Sequence, residues 1–396
     1  MRILKLLLLS TILTILPGQL IRVNITPASA ISISDVVILF TNIIFCLVWF
    51  FEKKTLVVPG AIFIFGWLFI MLALSINLFS LNFYDLKAIV IASLFLIRLI
   101  LYFNLALIVL NVVNRRETES FVSAILLAGG LFTLLGFIQL VVFPDLSGLQ
   151  LLGWDPHIGR LVSTTLDPNY TGLMLTIFTS ISISKYLYGK KKLHLILSII
   201  FTLAVLLTFS RSTYIAYIAM MFTIGLIKSP KIILVALILF VTAFFTVPQI
   251  NQRISGAFRV DETATARIES WQKAWVIYTK NPIFGVGFNN YRTAQEKYGF
   301  FETETQQLGH AGGGSDSTFL LVAATSGFIG AAVYLLWQAS ILISLKKNIT
   351  KNYIAVATMA SYVALLFHTQ FVNSLLYPQI MLLVWTLISL KLVYDD

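Results

Sequence analysis

Arg211 stands in Thr208-Phe209-Ser210-Arg211-Ser212-Thr213, a tight turn between two apolar stretches with no acidic neighbour in sequence. A guanidinium offers a planar fork of donors that matches phosphate oxygens, and it does not lose its charge. Two partners suit such a side chain: an anion brought from elsewhere, or the lipid headgroups toward which a cation at a helix end snorkels. Arg267 lies in Ala266-Arg267-Ile268-Glu269-Ser270-Trp271, where pairing with a nearby carboxylate such as Glu269 is the ordinary use of a helix-surface arginine. Arg160 precedes Ser163-Thr164-Thr165-Leu166-Asp167-Pro168-Asn169, a turn-rich stretch in which Asp167 or Asn169 can cap the next helix. Arg98, inside an apolar stretch, reads as a structural pair or a snorkelling residue.

A further cluster is His310-Ala311-Gly312-Gly313-Gly314-Ser315-Asp316-Ser317-Thr318. Three consecutive glycines have little preferred conformation and suit a lid that orders on substrate. Asp316, at the mouth of a helix, reads either as its N-cap or as a general base. No pair of histidines or carboxylates shows metal-ligand spacing, and no Gly-rich phosphate loop precedes a helix. His157, His194 and His368 stand alone, so no metal or cofactor is expected. Cys46 has no partner for a disulfide or a thiolate site.

The elements that must position these residues are set by composition. Hydrophobic residues make up 58% of the 396 and charged ones 11%, with a mean hydropathy of +0.89. A soluble domain carries about a quarter charged residues, so the bilayer is the solvent here. A net charge of +11 would suggest nucleic acid in a soluble protein, but in this chain its placement around apolar runs matters more, and no nucleic-acid partner is expected. Apolar runs over 4–21, 33–51, 56–78, 88–112, 119–143, 170–188, 194–209, 212–228, 231–248, 317–345, 353–371 and 375–392 predict about twelve transmembrane helices. Arg2 and Lys5, Lys53 and Lys54, Arg115 and Arg116, Lys190 to Lys192, Lys228 and Lys231, and Lys346, Lys347 and Lys351 then fall on one side. Short cytoplasmic loops collect Lys and Arg, which puts both termini inside.

The first run also resembles a signal peptide, with Ala28-Ser29-Ala30 after it. Arg22 and the long gap before that triplet favour an uncleaved helix. Residues 144–169 and 249–316 form long outer loops. The second divides the chain into 1–248, 249–316 and 317–396, and loops of that length are usually functional. Within it, Asp261 to Asn281 predicts an amphipathic helix on the membrane surface, with Ile268, Trp271, Trp275 and Tyr278 at helical spacing.

Taken together, these stretches resemble the O-antigen ligase and Wzy-type polymerase superfamily, membrane enzymes that move glycans from a polyprenyl diphosphate carrier to an acceptor outside the cytoplasmic membrane. The resemblance is carried by Arg160 with Asp167-Pro168-Asn169, and by Phe209-Ser210-Arg211-Ser212. It continues through Arg267-Ile268-Glu269-Ser270-Trp271 into Asn281-Pro282-Ile283-Phe284-Gly285-Val286-Gly287, and ends with Asp316-Ser317-Thr318-Phe319-Leu320 and Gly327-Phe328-Ile329-Gly330. It implies an all-α, GT-C-like polytopic membrane protein in which Arg211 and Arg267, with Arg160 as a third contact, hold the donor diphosphate. Ligases of the superfamily usually carry a histidine where this chain has Asp316, which favours the polymerase-like members. Asp316, or His310 six residues earlier, is then the base that takes the acceptor proton in a metal-independent, inverting transfer.

The partners so implied are an undecaprenyl-diphosphate-linked oligosaccharide, an acceptor glycan, membrane lipids, and a chain-length regulator and flippase of the same pathway. The implied location is the cytoplasmic (inner) membrane. Ligation to lipid A core or to protein stays open as an alternative within the enzyme class. From another class, a flippase or transporter of lipid-linked sugars would share the apolar composition, but it would be expected to show internal repeats, and the sequence has none.

Overall fold

The computed structural model describes residues 1–26, 29–53, 55–301 and 313–395. The helices are α1 (Arg2–Leu13), α2 (Ile33–Glu52), α3 (Gly60–Ser80), α4 (Leu86–Val112), α5 (Thr118–Val142), α6 (Pro168–Gly189), α7 (Lys192–Leu207), α8 (Arg211–Ile227) and α9 (Lys231–Thr246). Then come α10 (Pro248–Phe258), α11 (Glu262–Lys280), α12 (Tyr291–Lys297), α13 (Thr318–Lys346), α14 (Tyr353–His368) and α15 (Pro378–Asp395). The chain is an all-α polytopic membrane protein.

The structure supports several of the expected spans by length and composition. A helix stands at each predicted apolar stretch, but among the described residues six are long and apolar enough to cross a membrane: α2, α3, α4, α5, α13 and α15. A seventh results if α9 and α10, bent by 97° at their junction, are taken as one broken span. Helices α7, α8 and α14 are apolar but shorter.

One element went unforeseen. Residues Arg22–Thr26 (β1) and Ser29–Ser32 (β2) pair antiparallel, Arg22 opposite Ser32 and Asn24 opposite Ala30. Of the triplet that resembles a cleavage site, Ser29 and Ala30 lie in this hairpin and Ala28 falls outside the described residues.

At the centre is α6, rich in Ser and Thr yet buried on every side over most of its length. Its hydroxyls are satisfied along its own backbone: Thr176 donates to the Gly172 carbonyl at 2.8 Å and Thr179 to that of Leu175 at 2.8 Å. In a bilayer an unmatched hydroxyl is costly, so this internal pairing lets polar residues occupy the core. Small residues then allow close packing. A Cβ on Gly172 would sit 2.2 Å from the Thr213 hydroxyl, so the starts of α6 and α8 touch.

The 281–287 segment docks on a break in α13. Gly327 adopts φ 63° and ψ −168°, which frees carbonyls from the helix ladder. Val286 and Gly287 donate to the carbonyls of Ala324 and Thr325 at 3.1 and 2.9 Å, and Phe328 donates back to Pro282 at 2.7 Å. A Cβ at Gly327 would collide with the Ile283 carbonyl, besides being strained at that φ. Two of the sequence motifs are therefore the two halves of one backbone joint, which fixes the long loop to the helical bundle.

Candidate functional site

Helices α6, α8 and α13 begin at the same end of the bundle, the end where the long loop packs. Each start is capped by a side chain. Asp167 accepts from the backbone N–H of Asn169 (2.6 Å) and Tyr170 (3.1 Å), Ser210 from Thr213 (3.3 Å), and Ser317 from Leu320 (3.4 Å). With Ser317 as the cap of α13, the Asp316 carboxylate is not spent on capping. With Asp167 capping α6, Asn169 is left to accept from the hydroxyls of Ser210 (2.6 Å) and Ser212 (3.2 Å), which ties the α6 and α8 starts together.

Arg267 and Asp316 are brought together by α11. Ser270 lies three residues after Arg267, on the same face of that helix, and accepts from the Asp316 backbone N–H at 3.0 Å. The start of α13 is held from its other side as well, Thr318 donating to the Thr369 carbonyl at 3.0 Å through its backbone N–H and to Asn373 at 3.1 Å through its hydroxyl. Among the described residues neither the Arg267 guanidinium nor the Asp316 carboxylate makes a hydrogen bond or a salt bridge, although each feels the other's field. Pairing of Arg267 with Glu269 does not occur. Burial raises the Asp316 carboxyl to about 6; Arg267 opposes the rise, and Asp155 and Asp167 add to it.

Both side chains line a cavity of about 790 Å³. Its walls come from the β-hairpin, the upper ends of α2 and α4, the 154–170 stretch, α12 and the α14–α15 connection. Gly313 and Gly314 also line it; His310 lies outside the described residues. Asp155 opens into this space, and the protein around it, with Asp167, raises its carboxyl too. Tyr170 stacks on Tyr377 with ring centroids 3.7 Å apart, giving the cavity an aromatic wall.

Arg160 and Arg211 do not line the cavity. Arg160 donates through Nε to the Thr208 carbonyl (2.9 Å) and through Nη2 to that of Phe209 (3.2 Å), clamping the 144–162 loop to the α7–α8 turn. Burial, then the nearby Arg253, lower its guanidinium to about 10. Arg211 holds both oxygens of Asp261, the N-cap of α11, with Nη1 to Oδ1 at 3.0 Å and Nη2 to Oδ2. An anion from elsewhere was one expectation for Arg211; here its partner is a carboxylate fifty residues on in the same chain. Arg98 is the structural pair that the sequence allowed, donating to both oxygens of Asp35 at 2.8 Å.

Arg253, on α10, had not stood out in the sequence. Its field reaches His157, Arg160, Tyr214 and Asp261, which places it in the same cationic cluster as Arg160, Arg211 and Arg267. The signal was available: α10 is short and amphipathic and follows a span directly, so a cation on it lies beside the membrane boundary. Among the described residues no group of three or more His, Cys, Asp or Glu side chains is placed to hold a metal ion.

Helix α11 matches the predicted amphipathic helix closely. It buries Ala274 and Ile277 and leaves Ile268 and Trp275 exposed. The four apolar positions expected on one face are thus divided between the bundle and the surroundings, Trp271 lying tilted against Phe371 with ring centroids 6.0 Å apart.

No curated protein matches the chain. Residues 196–335 do match a family model, O-antigen ligase, over about a third of the chain, a stretch that holds Arg211, Arg253, Arg267 and Asp316. By that match, residues 196–335 are similar to the O-antigen ligase family.

Proposed function

We propose that the protein is a membrane glycosyltransferase that moves an oligosaccharide from a polyprenyl diphosphate carrier, undecaprenyl in bacteria, to a sugar hydroxyl of an acceptor glycan. The observation that carries this reading is one cavity lined by the Arg267 guanidinium and the Asp316 carboxyl, both unpaired among the described residues, with the carboxyl raised to about 6. A base poised near neutral pH is what proton removal from a hydroxyl needs. A diphosphate is already a competent leaving group, and a fork of fixed cations stabilises the charge that develops on it as the glycosidic C–O bond breaks.

In this mechanism Asp316 takes the proton of the acceptor hydroxyl as its oxygen attacks the anomeric carbon. The carrier diphosphate departs on the opposite side toward Arg267 and the arginines behind it. A single displacement inverts the anomeric centre, and no metal is required. The cavity's size suits two saccharide units, and Tyr170 and Tyr377 supply apolar surface for sugar rings.

An aspartate where ligases usually carry histidine favours polymerisation of repeat units. The family's description as O-antigen ligase supports ligation to lipid A core or to protein as the second reading. We take the site as extracytoplasmic in the inner membrane, with both termini in the cytoplasm, because the basic loops gather at the opposite end of the helices. The test is direct. Purified protein mixed with a lipid-linked oligosaccharide lengthens it, and Asp316→Asn does not; an unextended substrate with the wild-type protein sinks the polymerase reading, and transfer to added lipid A core instead establishes ligation.

A further inference from the structure

Strands β1 and β2 have two unlike faces. Their pleat turns Arg22, Asn24, Ala30 and Ser32 inward, where they line the cavity. Val23, Ile25 and Ile31 do not line it and are 66%, 53% and 41% exposed. Val23 and Ile31 are partners across the strands, and Ile21, exposed as well, precedes Val23 at the same alternation. The outer face is therefore a continuous apolar patch and not a set of scattered side chains.

The height of the hairpin beside the membrane helices follows from its anchors. Arg98 donates to the Ala30 carbonyl and to both oxygens of Asp35, and Ser32 caps α2 in a reciprocal box with Asp35. Arg22 holds the inner face, its guanidinium 4.6 Å from the centre of the Trp154 ring. Arg98 stands near the middle of α4, so the residues from Leu86 to Ile97 run beside the hairpin, about 18 Å of helix at about 1.5 Å per residue. That stretch divides its sides as the hairpin does. Ala88, Ile91, Ala92 and Phe95 line the cavity, while Leu86, Val90, Leu94 and Ile97 are exposed at helical spacing. Where β2 runs into α2 the division recurs, Asp35 lining the cavity and Val36, Phe40 and Ile43 exposed. Both helices are long and apolar enough to cross a membrane, so their exposed stripes face lipid.

We propose that the outer face of the β-hairpin is a lipid-contacting surface, seated in the leaflet at the loop end of the bundle, and that the hairpin is the partition between bilayer and cavity. It continues the lipid-facing stripes of α2 and α4 at the height of the loop-end half of α4. A two-stranded sheet leaves backbone groups unpaired along both edges, which hydrocarbon does not satisfy. The hairpin therefore sits at headgroup level, with its valine and isoleucine side chains reaching the acyl chains, as the apolar face of an interfacial helix does. The seat is independent of the reaction that the cavity performs.

Depth-dependent quenching tests it on the full-length protein in phosphatidylcholine nanodiscs, with Cys46→Ser removing the native thiol. Bimane is attached at Val23→Cys, Asn24→Cys or Ile25→Cys, and at Phe40→Cys on α2 as the lipid-facing reference. Phosphatidylcholine with acyl chains brominated near the headgroup should quench the labels at 23, 25 and 40 about twofold or more above the label at 24, the alternation of a strand with one side in lipid. Aqueous iodide should reverse that order. Because a label can disturb a hairpin, the unmodified protein is also irradiated with a phosphatidylcholine that carries a diazirine in its acyl chain. Adducts on Val23, Ile25 or Ile31 are expected by mass spectrometry, and none on Asn24; where labelled and unmodified protein disagree, the unmodified protein decides.

Iodide quenching of all three hairpin labels, with no adducts on the unmodified protein, leaves the hairpin standing in water and overturns the proposal. Labels at 23 and 25 shielded from bromine and iodide alike, again without adducts, make the face an interface with a second copy and overturn it too. Bromine quenching of all three labels alike, with adducts on Asn24, puts lipid on both sides and removes the partition.

Discussion

The two ends of the helical bundle differ in how completely their charge is paired. At the end away from the long loop, Lys5 meets Glu117 at 2.5 Å, Lys185 meets Glu119 at 2.8 Å while Tyr353 donates to the same carboxylate, and Lys391 meets Asp395 at 2.7 Å. At the loop end Arg267, Arg253 and the carboxylates of Asp316 and Asp155 make no salt bridge among the described residues, within a few residues of partners of opposite sign. Leaving charges unpaired beside a closed helical core is unfavourable. The contrast separates charge that holds helices in place from charge kept available for something that arrives.

Removing the base should break that contrast most. Asp316→Asn is expected to lower transfer about a thousandfold, within the usual range for general base catalysis, at unchanged melting temperature. An equal loss from a charge-removing change at Lys185 would erase the distinction between the ends. Next, Arg267→Lys should lose about a hundredfold in transfer, because a point charge does not replace a bidentate fork on phosphate. Near-wild-type turnover in that variant would reduce Arg267 to a general field effect.

Asp35→Asn probes a paired charge at the loop end. Leaving Arg98 without its carboxylate should cost about 3 kcal/mol of stability, read by thermal unfolding in detergent, before any effect on chemistry. The pH profile sharpens the comparison further. Asp316 acts deprotonated, so transfer should fall about tenfold per unit as pH drops below about 6 and level off above it. That limb should vanish in Asp316→Asn. Smallest of all, Lys5→Ala at the opposite end should cost under about 1 kcal/mol and leave transfer unchanged, since its ion pair is partly exposed to solvent.

Much of the fold could be read before any coordinates. Helix positions followed from apolar runs, because in lipid every backbone polar group must be satisfied within its own segment and a helix is the simplest way to do so. Helix α11 was legible from Asp261 as a cap and from its apolar spacing. The β-hairpin was not, because Arg22 to Ser32 alternates weakly and its stability comes from neighbours such as Arg98, which donates to the Ala30 carbonyl at 2.5 Å. The bend between α9 and α10 was not legible either, because composition does not reveal where a helix bends.

The site was legible in its residue types and less so in its roles. Arg267 and Asp316 stood out by position, and the structure brings them to one cavity. Arg160 and Arg211 stood out for the same reasons, yet each makes hydrogen bonds within the chain and neither lines the cavity, and Arg253 went unnoticed although the amphipathic α10 marked it. Whether a guanidinium is free depends on what lies within about 3 Å of it, a distance that pattern and spacing along the chain do not encode.

The sequence by itself determined that this is a helical membrane protein, that its basic loops gather on one side, and that its unusual charges cluster in two loops, because hydrophobicity and charge act locally along the chain. Only the tertiary structure decided which charges are spent and which are kept. That choice follows from contacts such as Arg211 with Asp261, Ser270 with the Asp316 backbone, and the joint between the 282–287 segment and Gly327, each linking residues far apart in sequence. The free energy of a charge is set by its nearest neighbours in space, and folding chooses those neighbours.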